Sequence, residues 1–495
     1  MTAQVSTIYS QRKLNVGQAG KFLGILLMLL SAFMLPSVGW SLYYEEKFTI
    51  IPISLTIILT LAAGTILFVT NKKENEQNIS IKEGYLIVCL SWILMAFTGA
   101  LPFYLSNVIP SFTDAFFESM SGFTTTGASI LEDIEAVPKS MLFWRSMTHW
   151  LGGMGIIVLT VAILPILGIG GMQLFAAEAP GTTPARLHPH IRSTAKRLWG
   201  IYIFLTILQT FLLMLGGMDL FESLNHSFST MATGGFSTQN DSIAGYSAFI
   251  QYVIILFMIL AGTSFVLHYF ILKGILSKVR QNDEFRFYIL VITVFTTVIT
   301  TGIYIAGNSG LEEAFRHSLF QTVAIATTTG FATTDYLQWN GFLWFLIFIL
   351  MFTGGCMGST GGGLKMIRVL VLIKNTRLEL KRLLHPMAVV PLKIEKRNIP
   401  AAIVSNFLAF FLLYIMVFFF GASVMSMFGL DFETSIGASI ASLGNIGPAI
   451  GGLGPADNYA FIPAGAKWVL SFLMLLGRLE LFTVLLLLSP GFWKK

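Results

Sequence analysis

The chain has 495 residues, 55% of them hydrophobic and only 11% charged, with a formal net charge of +6. A mean hydropathy of +0.75 and repeated long apolar runs exclude an ordinary water-soluble enzyme. The basic residues sit in short loops between those runs rather than in one patch, so they report membrane topology and not nucleic-acid binding.

Crossing about 30 Å of hydrocarbon takes about 20 helical residues, and runs of that length recur along the chain. Lipid offers the backbone no hydrogen-bond partner, so each run must be a helix. The alternation that a β-barrel needs is missing. Nothing resembles a cleaved signal peptide, because the first apolar run is too long and no small-residue cleavage site follows it cleanly. Cys89 and Cys356 lie in apolar surroundings, and their number and spacing predict neither a disulfide nor a metal site.

In chain order, residues 1–20 are polar and are assigned to the cytoplasm. Phe22–Tyr44 and Phe48–Thr70 are predicted as an antiparallel pair of spans, followed by a linker with Lys72, Lys73 and Lys82. The pattern then repeats four times as span, short amphipathic segment, glycine-ended turn and second span. The first unit is Gly84–Asn107, Phe112–Phe123 and Met141–Leu167; the second is Leu198–Gly217, Leu220–Ala232 and Phe249–Leu276. The third is Phe287–Gly307, Leu311–Ala326 and Phe342–Ile373; the fourth is Ala401–Phe428, Phe432–Ser442 and Lys467–Leu488.

The short segments cannot cross and are expected to be re-entrant, which is tolerated only where protein or water surrounds them. The expected fold is therefore an all-α polytopic membrane protein. Four span–pore helix–span repeats stand in a pseudo-fourfold arrangement around one pore, and two N-terminal transmembrane helices bring the crossings to ten. The corresponding divisions are residues 1–72, 73–180, 181–280, 281–376 and 377–495. Alternating from a cytoplasmic N-terminus places Lys196, Arg197, Lys278, Arg280, Lys374, Arg377, Lys396, Arg397 and the terminal Lys494-Lys495 inside. Glu45, Glu46, Glu132, Asp133, Asp241, Asp335 and Asp457 fall outside, as the positive-inside rule requires with both termini cytoplasmic.

The turns are the chemically informative part. Thr124-Thr125-Thr126-Gly127 returns as Thr233-Gly234-Gly235, as Thr328-Thr329-Gly330, and more loosely as Asn445-Ile446-Gly447. A dehydrated cation needs several oxygens at once, and rings of backbone carbonyls supply them. Aiming successive carbonyls at one axis takes unusual φ values, which glycine adopts cheaply. The short helices preceding the turns would point their partly negative C-termini inward. Threonine hydroxyls can brace the turns, and outer acidic residues raise the local cation concentration over about a Debye length. One such turn is better explained by close helix packing through small residues; four at the same place in a repeat reverse that and point to an ion filter. The fourth turn departs from the others, which predicts a pore less stringent than one with four identical walls.

Two further features fit a gate. Gly354, Gly355, Gly358, Gly361, Gly362 and Gly363 fall within ten residues just before Lys365, inside the last span of the third unit. Each glycine costs a helix about 1 kcal/mol relative to alanine, and helices broken at membrane depth line cavities. A mobile plug is the functional reading and a kink or tight contact the bland one. A phosphate-binding loop is excluded because Met366 follows Lys365. Arg478 is expensive within a span and should face a cavity or a partner. Facing the pore, it would repel cations. Glu480 stands two residues away and does not share its helix face, so an ion pair would need a distant partner. Arg145 and His149 are assigned to a surface or interfacial position near the outer end of a span. No hydrolase constellation is present.

Phe123-Thr124-Thr125-Thr126-Gly127-Ala128, Trp150-Leu151-Gly152-Gly153-Met154-Gly155, the Gly354–Lys365 loop and Gly477-Arg478-Leu479-Glu480 together resemble the TrkH/KtrB/HKT superfamily of potassium transporters. The extra N-terminal spans, the Asn445–Pro448 turn and the ending Pro490-Gly491-Phe492-Trp493 are similar to its TrkH branch. The resemblance implies a homodimer in the bacterial inner membrane with one pore per subunit. It also implies a cytoplasmic TrkA-type ring of nucleotide-binding regulatory subunits, with no covalent cofactor on the chain itself. Potassium would be bound at Thr125, Thr126, Thr233, Gly234, Thr328, Thr329, Asn445 and Ile446 beside the four filter glycines, with Arg478 below them.

The reading is therefore gated potassium uptake, driven by an inside-negative potential worth about 2.3 kcal/mol per 100 mV. A proton- or sodium-coupled symporter is the alternative. It predicts acidic residues within the spans, and apart from Glu480 scarcely any are visible. A membrane enzyme is disfavoured for want of a catalytic cluster.

Overall fold

The computed structural model describes residues 15–72, 80–158, 188–307, 310–387 and 390–493. The expectations for residues 1–14, Lys73, the end of the Met141–Leu167 span and Lys494-Lys495 lie outside the described residues.

Two long helices, α1 (Val16–Tyr43) and α2 (Lys47–Thr70), form the N-terminal pair. They touch through backbone: a Cβ on Gly24 would lie 2.7 Å from the Gly64 carbonyl oxygen, and one on Gly64 2.8 Å from that of Gly24. With no hydrophobic drive between helices in lipid, such small-residue contacts supply the packing.

The four-part pattern follows. First come α3 (Ile81–Leu105), α4 (Phe112–Phe123) and α5 (Lys139–Val158), and then α6 (His188–Leu215), α7 (Leu220–Met231), α8 (Ala248–Gly262), α9 (Phe265–Leu272) and α10 (Leu276–Arg280). The third part is α11 (Asp283–Ile305), α12 (Leu311–Ala326), α13 (Gly341–Met351) and α14 (Met366–Leu384). A two-residue hairpin, β1 (Lys393–Ile394) with antiparallel β2 (Arg397–Asn398), leads into the last. That part is α15 (Ala401–Met427), α16 (Phe432–Gly444), α17 (Ala464–Arg478), α18 (Leu481–Leu488) and the terminal turn α19 (Pro490–Trp493).

Burial is arranged for lipid. Long helices expose Ile58, Phe204, Phe211, Leu412 and Phe419, whereas the short helices bury Ser227, Thr230, Gln321 and Ser439 at the centre. Polar groups inside and apolar groups outside is the reverse of a water-soluble core, and it requires the interior hydroxyls to find partners.

Two spans expected to be continuous are broken. The α8–α9 pair bends by 103° at Thr263-Ser264, and the α17–α18 pair by 119° at Leu479-Glu480. Hydropathy reports how apolar a stretch is and is blind to whether its helix continues. Among the described residues six helices are long and apolar enough to cross alone, and each bent pair adds one. Eight is below the ten expected crossings, with which the helix α5 and the split pair α13–α14 are consistent.

Candidate ion filter and gate

The four short helices α4, α7, α12 and α16 share one N-terminal design. Asp114, Glu222, Glu312 with Glu313, and Glu433 stand in their first turns, where an acid complements the partly positive helix end. Asp219 and Asp431 also cap two of them, accepting from Glu222 N and Thr434 N. The Asp431 carboxyl is held below its ordinary range by its hydrogen bonds to Thr434.

Their C-termini share a second design. The N–H groups of Thr126, Gly234, Thr329 and Ile446 donate to the carbonyls of Ser121, Ser229, Ala324 and Ala441 at 2.7–2.9 Å. The preceding residues Thr125, Thr233, Thr328 and Asn445 donate to Gly122, Thr230, Ile325 and Ser442. This pairing is a Schellman end, which needs a left-handed residue and normally takes glycine. Here the left-handed residue is threonine three times, with φ of 53°, 56° and 61°, and asparagine once, at 54°. A β-branched residue there is a real outlier, costing about 1–2 kcal/mol each. The sequence reading placed the strain on the glycines alone. They carry it too: Gly127, Gly235, Gly330 and Gly447 have φ of 82°, 84°, 80° and 92°.

The turns close on one another in a ring. A Cβ on Gly127 would fall 2.1 Å from the Gly234 carbonyl oxygen, one on Gly235 2.1 Å from that of Thr329, and one on Gly330 2.0 Å from that of Ile446. A Cβ on Gly447 would fall 2.7 Å from the carbonyl oxygen of Thr126, which completes the circle. All four glycines line one hollow, together with Glu132 and Asp457. The divergent fourth turn is tied in by side chains. Asn445 Nδ2 donates to Thr126 Oγ1 and to the Met474 carbonyl at 3.0 and 2.9 Å, and the Tyr459 hydroxyl donates to the Gly447 carbonyl at 2.7 Å. Burial raises the Tyr459 phenol, so it stays protonated and able to donate.

Arg145 and His149 are not at the surface. Both are buried behind the ring. Arg145 Nε donates to Glu118 Oε1 at 2.6 Å, its Nη1 to the Ser237 carbonyl at 3.0 Å, and its guanidinium lies 3.5 Å from the centre of the Phe236 ring. The His149 ring stacks on that of Phe236 at 3.9 Å between centroids. Glu118 also accepts from Ser129 Oγ and Ile130 N. The pair thus braces the chain leaving the first turn against the chain leaving the second. The signal was available in the sequence, since the cost of a charge within a span that singled out Arg478 applies equally to Arg145. Removing one member of a buried pair leaves an uncompensated charge. Arg145→Ala is therefore expected to destabilise the protein by about 3–5 kcal/mol, read as a lowered melting temperature in detergent. The double variant Glu118→Gln/Arg145→Met should recover most of the loss.

The glycine loop fills the space at the opposite end of the turns from the hollow. Gly354, Gly355, Gly358, Gly361, Gly362 and Gly363 all lie in residues 352–365, between α13 and α14. Gly362 N donates to Thr328 Oγ1 at 2.6 Å, and a Cβ on Gly362 would lie 2.5 Å from the Gly444 carbonyl oxygen. The loop also satisfies the broken helix α8–α9: Cys356 N donates to the Gly262 carbonyl at 2.8 Å, and Phe265 N to that of Gly358 at 3.0 Å. Freed backbone groups at membrane depth need such partners. Lys365, with φ of 59°, starts α14 and its Nζ bonds the Gly361 carbonyl.

Arg478 is buried at the second break. Its Nη1 donates to the Thr360 carbonyl of the loop at 2.7 Å and its Nη2 to the Gly152 carbonyl of α5 at 3.2 Å. It has no acidic partner among the described residues. Glu480 pairs instead with Arg368 of α14. Buried acids are also more numerous than the sequence reading allowed, Glu83, Glu118 and Glu284 being the additions.

These features define a polytopic, all-α membrane protein whose four short helices converge on a strained ring with a loop packed beneath it. The chain belongs to the TrkH family of cation transport proteins, whose family model matches residues 51–495; it is a multi-span membrane transporter and not an enzyme. The Trk system potassium uptake protein TrkH of Salmonella typhimurium is 42% identical over 488 residues, covering 96% of this chain and 99% of that one. The TrkG protein of the Trk system in Escherichia coli is 33% identical over 475 residues, covering 95% and 97%. The crystal structure of the potassium transporter TrkH from Vibrio parahaemolyticus matches with a TM-score of 0.89 at 38% identity, covering 97% of this chain and all of that one.

Proposed function

We propose that this chain takes up potassium, and rubidium with it, through the ring of four turns, and that the glycine loop and Arg478 close the path. The observation that carries the reading is the ring itself. Each turn alternates between left-handed and ordinary φ, a departure from regular backbone that would let successive carbonyls face one axis. Four such stretches touching in a circle would offer an ion the oxygens of Thr125 and Thr126, Thr233 and Gly234, Thr328 and Thr329, and Asn445 and Ile446. Four short-helix C-termini add negative potential at that point.

Beneath the ring, the loop occupies the path and Arg478 adds a fixed positive charge. The unlike fourth wall predicts limited discrimination against sodium. The bacterial inner membrane, cytoplasmic termini, pairing with a second copy and control by a TrkA-type nucleotide-binding ring follow from the family resemblance.

Rubidium uptake into liposomes containing the purified protein is the test. An inside-negative voltage alone should drive it, each 100 mV supplying about 2.3 kcal/mol per ion. A strict requirement for a proton or sodium gradient would replace this reading with coupled symport. Uptake of potassium with complete exclusion of sodium would refute the limited discrimination assigned to the fourth turn.

A further inference from the structure

Glu284 is the second residue of α11, and its side chain turns away from its own helix end toward the glycine loop. The residue is only 4% exposed. One carboxylate oxygen, Oε1, accepts from Met357 N at 2.7 Å and from Ile367 N at 3.0 Å. Met357 follows Cys356 within the loop, and Ile367 lies in the first turn of α14 just beyond it. A single buried side chain therefore joins the two sides of the segment that carries Gly358, Gly361, Gly362, Gly363 and Lys365.

The arrangement is local and specific. The two N–H donors would be left buried and unpaired if the side chain were lost, which costs more than the bonds themselves contribute. The neighbouring Asp283 is engaged elsewhere, by Lys374 Nζ at 2.8 Å and Glu395 N at 3.1 Å, so it is not available as a substitute. Arg478 holds the loop from the other side, at Thr360.

We propose that Glu284 is the positioning residue that latches the glycine loop under the filter, and that the loop moves aside only when its bonds to Met357 N and Ile367 N are broken. This rests on the reading of the loop as the closure of the pore. Glu284 touches no ion on this account; it acts through the backbone of the loop.

The chain carries its own reporter. Cys89 and Cys356 are its only cysteines, and Cys356, wholly buried, is bonded to Met357. With Cys89→Ser as background, N-ethylmaleimide labelling of Cys356 in liposomes reports loop movement independently of flux. E284A is expected to label about tenfold faster or more, since leaving even one buried donor unpaired is worth about that factor, and to leak rubidium. E284Q keeps an acceptor oxygen and should restore most of the protection.

A variant shortened by Gly361–Gly363 is measured alongside. Wild-type labelling in E284A, with fast leakage from the shortened loop, would overturn the latch and leave the gate intact. Wild-type flux in both, with labelling fast in E284A, would overturn the gate reading on which the latch rests. If E284A does not elute as the parent does, E284D replaces it, because one methylene less cannot reach both donors; unchanged labelling there also overturns the latch.

Discussion

Gly330→Ala is expected to cut rubidium flux through the reconstituted protein by roughly a hundredfold. The new Cβ would sit 2.0 Å from the carbonyl oxygen of Ile446 and 2.8 Å from Pro448 Cδ, at a φ of 80° that alanine resists. Overpacking of about 1–3 kcal/mol and left-handed strain of about 1–2 kcal/mol sum to about 3 kcal/mol, roughly a hundredfold. The ring has no slack to absorb it, since each glycine leans on the carbonyl of the next turn. Gly307→Ala supplies the control: its φ is 74°, but nothing lies within 4 Å of the added carbon. It carries the strain without the collision and should leave flux within about twofold, as surface changes do. Equal losses in the two variants would mean that backbone strain, and not closure of the ring, sets conduction.

Arg478→Ala should act in the opposite direction, raising basal flux. A cation roughly 8 Å from the guanidinium feels about 2 kcal/mol of repulsion at an effective dielectric of 20. Removing it corresponds to roughly a 30-fold gain. The same substitution frees the Thr360 and Gly152 carbonyls, so it releases the loop as well as the charge. Arg478→Gln separates the two effects, because glutamine retains donors without the charge; flux between wild type and alanine is expected. Unchanged flux in an alanine variant that elutes as wild type would leave Arg478 a purely structural role. Purified variants in liposomes, assayed with rubidium under a fixed voltage, give both answers.

The legible part of this protein was local. The bounds of α4 and α12 were read from the sequence to the residue, because the amphipathic pattern of a short helix acts over a few positions. The glycine loop was legible for the same reason, as six glycines in ten residues cannot remain helical. The breaks at Thr263-Ser264 and Leu479-Glu480 were not: the backbone groups freed at the first are bonded by a loop far along the chain, and the arginine at the second reaches the same loop with its side chain. Arg145 was misplaced at the surface because its acceptors, Glu118 and Ser237, lie on other elements. Distances along the chain carried no hint of either contact.

Sequence alone determined that the chain lives in lipid, that it is helical, that one motif occurs four times, and where glycine would let the backbone turn. These follow from transfer free energy and from φ/ψ sterics, which are set residue by residue. Tertiary structure decided that the four turns meet, in which order they touch, and that three threonines and an asparagine accept left-handed geometry to make them do so. It also decided that Arg478 grips the loop and that Glu284 joins its two sides. The reason is the same in each case: a buried charge or a strained φ is held by partners brought together only when the whole chain has packed, and no local window of residues contains both sides of that bond.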